Sequence, residues 1–428
     1  MNKPHVLLAA YQCAPGMGSV SQIGWEWYSR LRARGPVTLV THVRNRPHLE
    51  AAGVGPEAGV RYIDTEWFAG PLYRLATTLF RSSQHAVFLL ASLDFYLYDW
   101  LAWRRLRRDP ARRSWQVVHA VTPVSAAAAT RLHKLGLPLV TGPLNCGLRT
   151  PRQFPDILRG DATWLYPVRN LGRLMDRWIG TTRRAKVVLA ATQATRDYLG
   201  TAVADRVEAM LENAVDPQLF RATPWPEAPG PQRPLRVLFV GRLIPCKGIP
   251  MLLEAVDRVA QMRPLEVRIV GDGPMQAAWC RAAGARGLQG CVEFLGSQSL
   301  DQVAKHMSWA HVLCLPSVRE SGGGVLLEAM AAARPVIAVG YGGPAEIVDD
   351  EVGRLLTPTD STTIVRELAA ALEDAFLRPD SWRVRGLKGR ERAVATFSWE
   401  AKMQAAQRIY ERLAAPAGSA PEPWKQVA

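Results

Sequence analysis

Cysteine is scarce in this 428-residue chain and scattered: the six residues stand at 13, 146, 246, 280, 291 and 314, with no close pair of the kind that holds zinc. The chain is far too long for a disulfide-stapled scaffold, so reduced and mostly buried thiols are expected. Long uninterrupted apolar runs are missing too. Residues 85–103 approach membrane length, but Asp94 and Asp99 break them, and a charge at the bilayer centre costs at least about 2.5 kcal/mol. The apolar run at 6–10 is too short for a signal-peptide core and leads into a Gly/Pro turn. These absences point away from a membrane-spanning or secreted protein and toward a cytoplasmic one. Acidic residues are also outnumbered, 38 against 53 Lys and Arg, for a net charge of +15 and a pI near 9.9. That excess favours nucleotide phosphates, an acidic membrane surface or nucleic acid, and charge alone does not choose among them.

What is present is an α/β pattern without internal repeats. A hydrophobic fraction of 48% with 21% charge suits a folded protein, and the length suits two domains of about 200 residues each. The first half opens with a strand at 6–10, a glycine loop at 15–20, a helix at 23–34 and a strand at 37–43. Further strands are expected at 117–121, 139–141 and 187–191, with aromatic and Arg-rich helical sequence at 65–113. Residues 222–234, ATPWPEAPGPQRP, hold five prolines and little that could pack, and read as a linker. The second half restarts with strands at 236–241, 267–271, 292–295, 312–315 and 336–339. The division expected is 1–220, a linker at 221–234, 235–397, a closing helix at 398–414 that returns to the first domain, and a flexible tail at 415–428. Two doubly wound domains facing each other would place ligands in the cleft at the carboxyl ends of their strands.

The most informative segment is PSVRESGGGVLLEAMAAARPVIAVGYGGPAEIV, 316–348. Three glycines, Gly322, Gly323 and Gly324, precede a helix whose free N–H groups suit a phosphate. Glu320 ends the preceding loop and Glu328 falls in the first turns of the helix; each carboxylate can accept paired hydrogen bonds from sugar or ribose hydroxyls. For an isolated Glu pair, surface charge is the commoner reading. Earlier stands GRLIPCKG, 241–248, where Arg242 and Lys247 follow a strand and could neutralise a diphosphate; a solvated basic loop is the alternative. Gly271-Asp272-Gly273-Pro274 ends another strand, by itself ordinary punctuation.

Together, GRLIPCKG, GDGP, PSVRE with a second Glu eight positions on, and PVIAVGYGGPAEIV resemble the retaining glycosyltransferases of the GT-B fold, in the large family that includes sucrose synthases and bacterial mannosyltransferases. The resemblance covers nearly all of 235–395. CAPGMGSVSQIGWEWYSRL, VHAVTP and VTGPLNCG are similar to that family's acceptor domain, and LENAVDPQLF to its interdomain lead-in. It implies two Rossmann-like domains. Arg242 and Lys247 would bind the donor diphosphate, Glu320 the transferred sugar and Glu328 the ribose. Gly18, Gly241, Gly271, Gly322, Gly323, Gly324 and Val325 would give backbone access to the donor. His119 matches a position near the reacting sugar, although a lone His is more often a satisfied core residue. Three positions depart from the family: Ser321-Gly322-Gly323 replaces Gly-Phe-Gly, Arg334 stands where Gly is common, and Ala214 follows Asn213 in place of Gly.

The resemblance implies transfer of a hexose-type sugar from an NDP-sugar, with retention, to a glycan or lipid-linked acceptor in polysaccharide or glycolipid synthesis. No metal and no cofactor beyond the donor substrate are expected, since no paired Asp motif holds a divalent ion. Trp100 and Trp103 followed by Arg104, Arg105, Arg107 and Arg108, with Arg183, Arg184 and Lys186, suit an anionic membrane at its inner face; solvated helix faces are the alternative. An NDP-sugar epimerase would lack the Glu pair with the Arg/Lys loop, and a non-catalytic nucleotide-sugar binder would show no turnover. A nucleic-acid partner finds no compact recognition motif.

Overall fold

The computed structural model describes residues 3–79, 93–160 and 166–415; the apolar stretch at 85–92 and the tail from 416 lie outside them. These residues form two compact units. One comprises 3–79, 93–147, 166–212 and 403–415, and the other 148–160 and 213–402.

In the first unit seven parallel strands run in the order β3-β2-β1-β4-β5-β6-β7. They are β1 (Val6–Ala10), β2 (Val37–His42), β3 (Val60–Ile63), β4 (Val117–Thr122), β5 (Leu139–Leu144), β6 (Val187–Ala190) and β7 (Val207–Ala209). The second unit holds six parallel strands in the order β10-β9-β8-β11-β12-β13. These are β8 (Leu235–Val240), β9 (Leu265–Val270), β10 (Val292–Gly296), β11 (Val312–Leu315), β12 (Val336–Val339) and β13 (Gly353–Leu356). Strands at the middle of a helix-covered parallel sheet are buried on both faces and read as continuous apolar runs. VLLAA in β1, VLCL in β11 and VIAV in β12 are buried throughout. Sheet order reverses beside β1 in the first unit and beside β8 in the second, which are the positions where open α/β sheets bind ligands.

Asp94 and Asp99, whose charges argued against a membrane span, are core groups of the first unit, 1% and 2% exposed. Asp94 accepts from Tyr11 Oη (2.6 Å) and Thr65 Oγ1 (2.5 Å). Asp99 accepts from Thr130 Oγ1 (2.5 Å) and Arg131 N (2.9 Å). Each carboxylate is thus satisfied where water is excluded. Of the cysteines, Cys13, Cys246 and Cys314 are buried, Cys146 and Cys291 half-buried and Cys280 exposed, and none is in a disulfide.

The proline-rich stretch is a correction: it packs. Its backbone follows the second unit, with the Trp225 ring edge-on to His311 at 4.8 Å. His311 Nε2 donates to Glu227 O (2.9 Å) while its Nδ1 accepts from Arg236 N (2.9 Å). The buried guanidinium of Arg334 donates to Thr223 Oγ1 (2.6 Å) and Pro224 O (3.2 Å). Proline removes donors, so the stretch presents bare carbonyls, and a buried cation collects them.

Candidate active site

The loops following β8 and β9 are zipped by backbone contacts. Gly241 N donates to Val270 O (2.9 Å), Leu243 N to Asp272 O (2.7 Å) and Met275 N to Leu243 O (3.1 Å). This approach is why GDGP carries glycines. A Cβ on Gly271, at φ 130°, would stand 2.0 Å from Gly241 O, and one on Gly273 would stand 2.5 Å from Leu243 O. Gly241 and Gly271 therefore pack on each other and shape the loop that displays Arg242. That side chain is exposed and makes no hydrogen bond among the described residues.

Lys247 closes the turn Pro245–Lys247 and forms an ion pair with Glu320, their side chains 16% and 14% exposed. A neighbouring backbone bond fixes the meeting: Val318 N donates to Cys246 O (3.0 Å). Glu320 in turn forms a parallel bridge with Gly342, and Gly343 N donates to Glu320 O (2.9 Å). The loops after β8, β11 and β12 are so joined around one Lys–Glu pair at the carboxyl end of the sheet.

Gly323 caps helix Gly324–Ala331 in the left-handed region at φ 54°, and the first amides of a helix lack intrahelical partners. Val325 and Glu328 are half-buried on this helix. The Glu328 carboxyl has no hydrogen-bond partner among the described residues, and burial pushes its pKa up to about 7. A buried carboxylate without a partner is costly and is relieved when a hydrogen-bond donor reaches it. Two further groups escaped the sequence reading. The Asn213 amide lies against Gly324, where a Cβ would be 3.4 Å from Nδ2. Residues 148–160 join the second unit, with Tyr341 Oη donating to Arg149 O (2.9 Å).

In the first unit Gly18 stands exposed at φ 84°, N-cap of helix Ser19–Arg32, in the loop after β1. His119 is a correction. It is 0% exposed in β4, its Nε2 donates to Gly142 O (2.8 Å) and its Nδ1 accepts from Tyr410 Oη (2.6 Å). Burial pushes its pKa down to about 4. Both ring nitrogens are committed and no proton can be exchanged with a substrate, so His119 fastens helix Trp399–Ala414 to the sheet. His119→Leu is expected to cost about 2–4 kcal/mol in urea unfolding at pH 7, because Tyr410 Oη and Gly142 O lose their partner. Activity per folded molecule stays unchanged. A depressed histidine pKa contributes stability above the unfolded value of 6.5 and loses it as pH falls toward 4, by about 3 kcal/mol over that window. The pH 4–6.5 slope of wild-type stability should flatten in the variant.

Residues 234–374 match the family model described as glycosyl transferases group 1. The chain is 31% identical over 276 residues to alpha-maltose-1-phosphate synthase of Mycolicibacterium smegmatis, covering 57% of this chain and 68% of that protein. It is 28% identical over 252 residues to MMP alpha-(1->4)-mannosyltransferase of Mycolicibacterium hassiacum, covering 56% and 59%. The chain spans about half to two thirds of the length of these curated relatives. In fold it is similar to Anabaena HepE, solved in complex with UDP and glucose, at TM-score 0.59, 18% identity and coverage of 95% of this chain and 99% of that one. The architecture is GT-B.

Proposed function

This chain belongs to the glycosyl transferases group 1 family, and from that premise we propose that it moves a hexose-type sugar from a nucleoside-diphosphate sugar to a hydroxyl of a glycan or lipid-linked acceptor, with retention. The observation that carries this reading is the placement, after the neighbouring strands β8 and β11, of the exposed Arg242, the Lys247–Glu320 pair, a helix N-terminus behind three glycines, and Glu328 on that helix. Arg242, Lys247 and the helix amides offset the diphosphate charge. Glu328 accepts from the ribose hydroxyls and Glu320 from the sugar once Lys247 turns to phosphate.

In the reaction the bond from the anomeric carbon to the diphosphate oxygen breaks, and the bond to the acceptor oxygen forms on the same face. The acceptor proton passes to the departing diphosphate. The charge that grows on that leaving group is met by fixed cations, so the protein's work is positioning and electrostatics. In this reading these cations replace a metal ion, and turnover continues in EDTA.

The test is a thermal-shift panel of UDP, GDP, ADP and their sugars. One nucleotide should stabilise the wild type, by about 2.7 kcal/mol at a hundredfold over its dissociation constant, and Glu328→Ala should lose the response. No response from any nucleotide overturns the donor site.

Exposed apolar groups favour a lipid-borne acceptor. Leu174 and Trp178, 60% and 77% exposed, lie four residues apart on helix Tyr166–Ile179 beside exposed Arg177. Among the described residues no helix is long and apolar enough to cross a membrane, so the proposal is contact with the anionic inner face of a membrane. Flotation with anionic but not neutral vesicles, lost in Trp178→Ala, is the expected result.

A further inference from the structure

The second unit contains a piece of chain that sequence order assigns elsewhere. Residues 148–160 precede β6 of the first unit, yet they pack within the second. Their anchor is specific. Gly342, at φ 73°, has no room for a side chain: a Cβ would lie 2.3 Å from Glu320 O and 3.0 Å from Leu148 Cδ2. The bare face of Gly342 is thus covered by Glu320 on one side and by buried Leu148 on the other. The adjacent Tyr341 ties the same segment through its hydroxyl to Arg149 O (2.9 Å). Phe154 is buried, and helix Pro155–Gly160 packs on the turn Pro245–Lys247. One short segment therefore touches the turn that carries Lys247 and the glycine that bridges to Glu320.

We infer that residues 148–160 are a working part of the donor site, and that Leu148 and Tyr341 are positioning residues that set where the Glu320 carboxylate stands. This deepens the reading above and rests on it. Glu328 and the helix amides lie on helix Gly324–Ala331 and, among the described residues, hydrogen-bond to neither Leu148 nor Tyr341. The segment should thus govern recognition of the transferred sugar and leave nucleotide recognition alone. A displacement of well under 1 Å at Glu320 matters because paired hydrogen bonds to vicinal hydroxyls tolerate little misplacement.

Titration calorimetry of the full chain separates the two. The probes are UDP-glucose against UDP, GDP-mannose against GDP, and ADP-glucose against ADP, taking the pair the wild type binds. In Tyr341→Phe, affinity for the free diphosphate should stay within about twofold, while affinity for the sugar nucleotide falls about fivefold, the size of one neutral hydrogen bond. Adding Leu148→Ala should widen the gap to about thirtyfold, and Leu148→Met should restore most of it. Equal weakening of both probes, or a lower melting temperature with the ratio unchanged, overturns the inference and leaves the segment structural. Glu328→Ala is the control: if it keeps full affinity for the diphosphate, the donor-site reading itself has failed, a result distinct from failure of the brace.

Discussion

Lys247→Ala is expected to lower the rate of sugar transfer by two to three orders of magnitude, with the melting temperature little changed. Removing one well-placed donor facing developing charge costs about 3–4 kcal/mol of transition-state stabilisation. Lys247 qualifies because it sits at the switch point of the second sheet on a turn held by backbone bonds, and because only 16% of its side chain is exposed, so screening is weak. Its present partner, Glu320, would be left half-buried without a cation, which raises a confound. The double variant Lys247→Ala/Glu320→Gln removes it. If the loss is transition-state charge, the double variant stays as slow as the single one. If it recovers to within tenfold of the wild type, Lys247 serves only to neutralise Glu320. Steady-state transfer with the donor found by thermal shift measures both, and kcat should carry the loss more than KM.

Arg334→Ala is expected to destabilise the protein by about 4 kcal/mol in urea unfolding at pH 7. Arg334 is 0% exposed, and every acceptor around it is uncharged. Nε donates to Met307 O (2.9 Å), Nη1 to Thr223 O (3.3 Å) and Ala333 O (3.4 Å), and Nη2 to Thr223 Oγ1 (2.6 Å), Ser308 O (3.0 Å) and Pro224 O (3.2 Å). Burial lowers its pKa to about 10, which still leaves it charged at neutral pH. Each orphaned carbonyl costs about 1–3 kcal/mol, reduced where water can enter the vacated space. Arg334→Lys keeps the charge but its three donors cannot reach acceptors spread over three segments, 223–224, 307–308 and 333, so about half the loss should remain. Hydrogen exchange at 222–226 should accelerate in both variants. A loss below 1 kcal/mol for Arg334→Ala would mean that the stretch is held elsewhere.

The strands that escaped the sequence reading share one property. β3 (VRYI), β7 (VEA) and β13 (GRLL) lie at the edges of their sheets. An edge strand packs on fewer neighbours, so it is short, carries polar residues and loses the apolar run by which β1, β11 and β12 are recognised. The location of the charged candidate residues was legible for a related reason. Arg242, Lys247 and Glu320 lie in the loops after the buried strands β8 and β11, with Glu328 on the helix that follows, and chain direction in a parallel sheet sends all such loops to one edge.

His119 shows the limit of that reasoning. It follows the same run-then-polar pattern in β4, but its partners are Tyr410 and Gly142, one of them nearly three hundred residues away. No local pattern distinguishes a histidine that reaches a substrate from one that meets a tyrosine from the end of the chain. The same holds for the proline-rich stretch, loose by composition and anchored by one buried cation more than a hundred residues on.

Periodicity and chain direction, which act over a few residues, determined from the sequence the two parallel α/β sheets, their central strands and the loops that carry charge. Which of those charges pair, which histidine is sealed in the core, and that residues 148–160 brace the second unit were decided by tertiary structure. Those facts depend on burial and contact between segments far apart in the chain, where a hydrogen bond or ion pair exists only once water has been excluded by both.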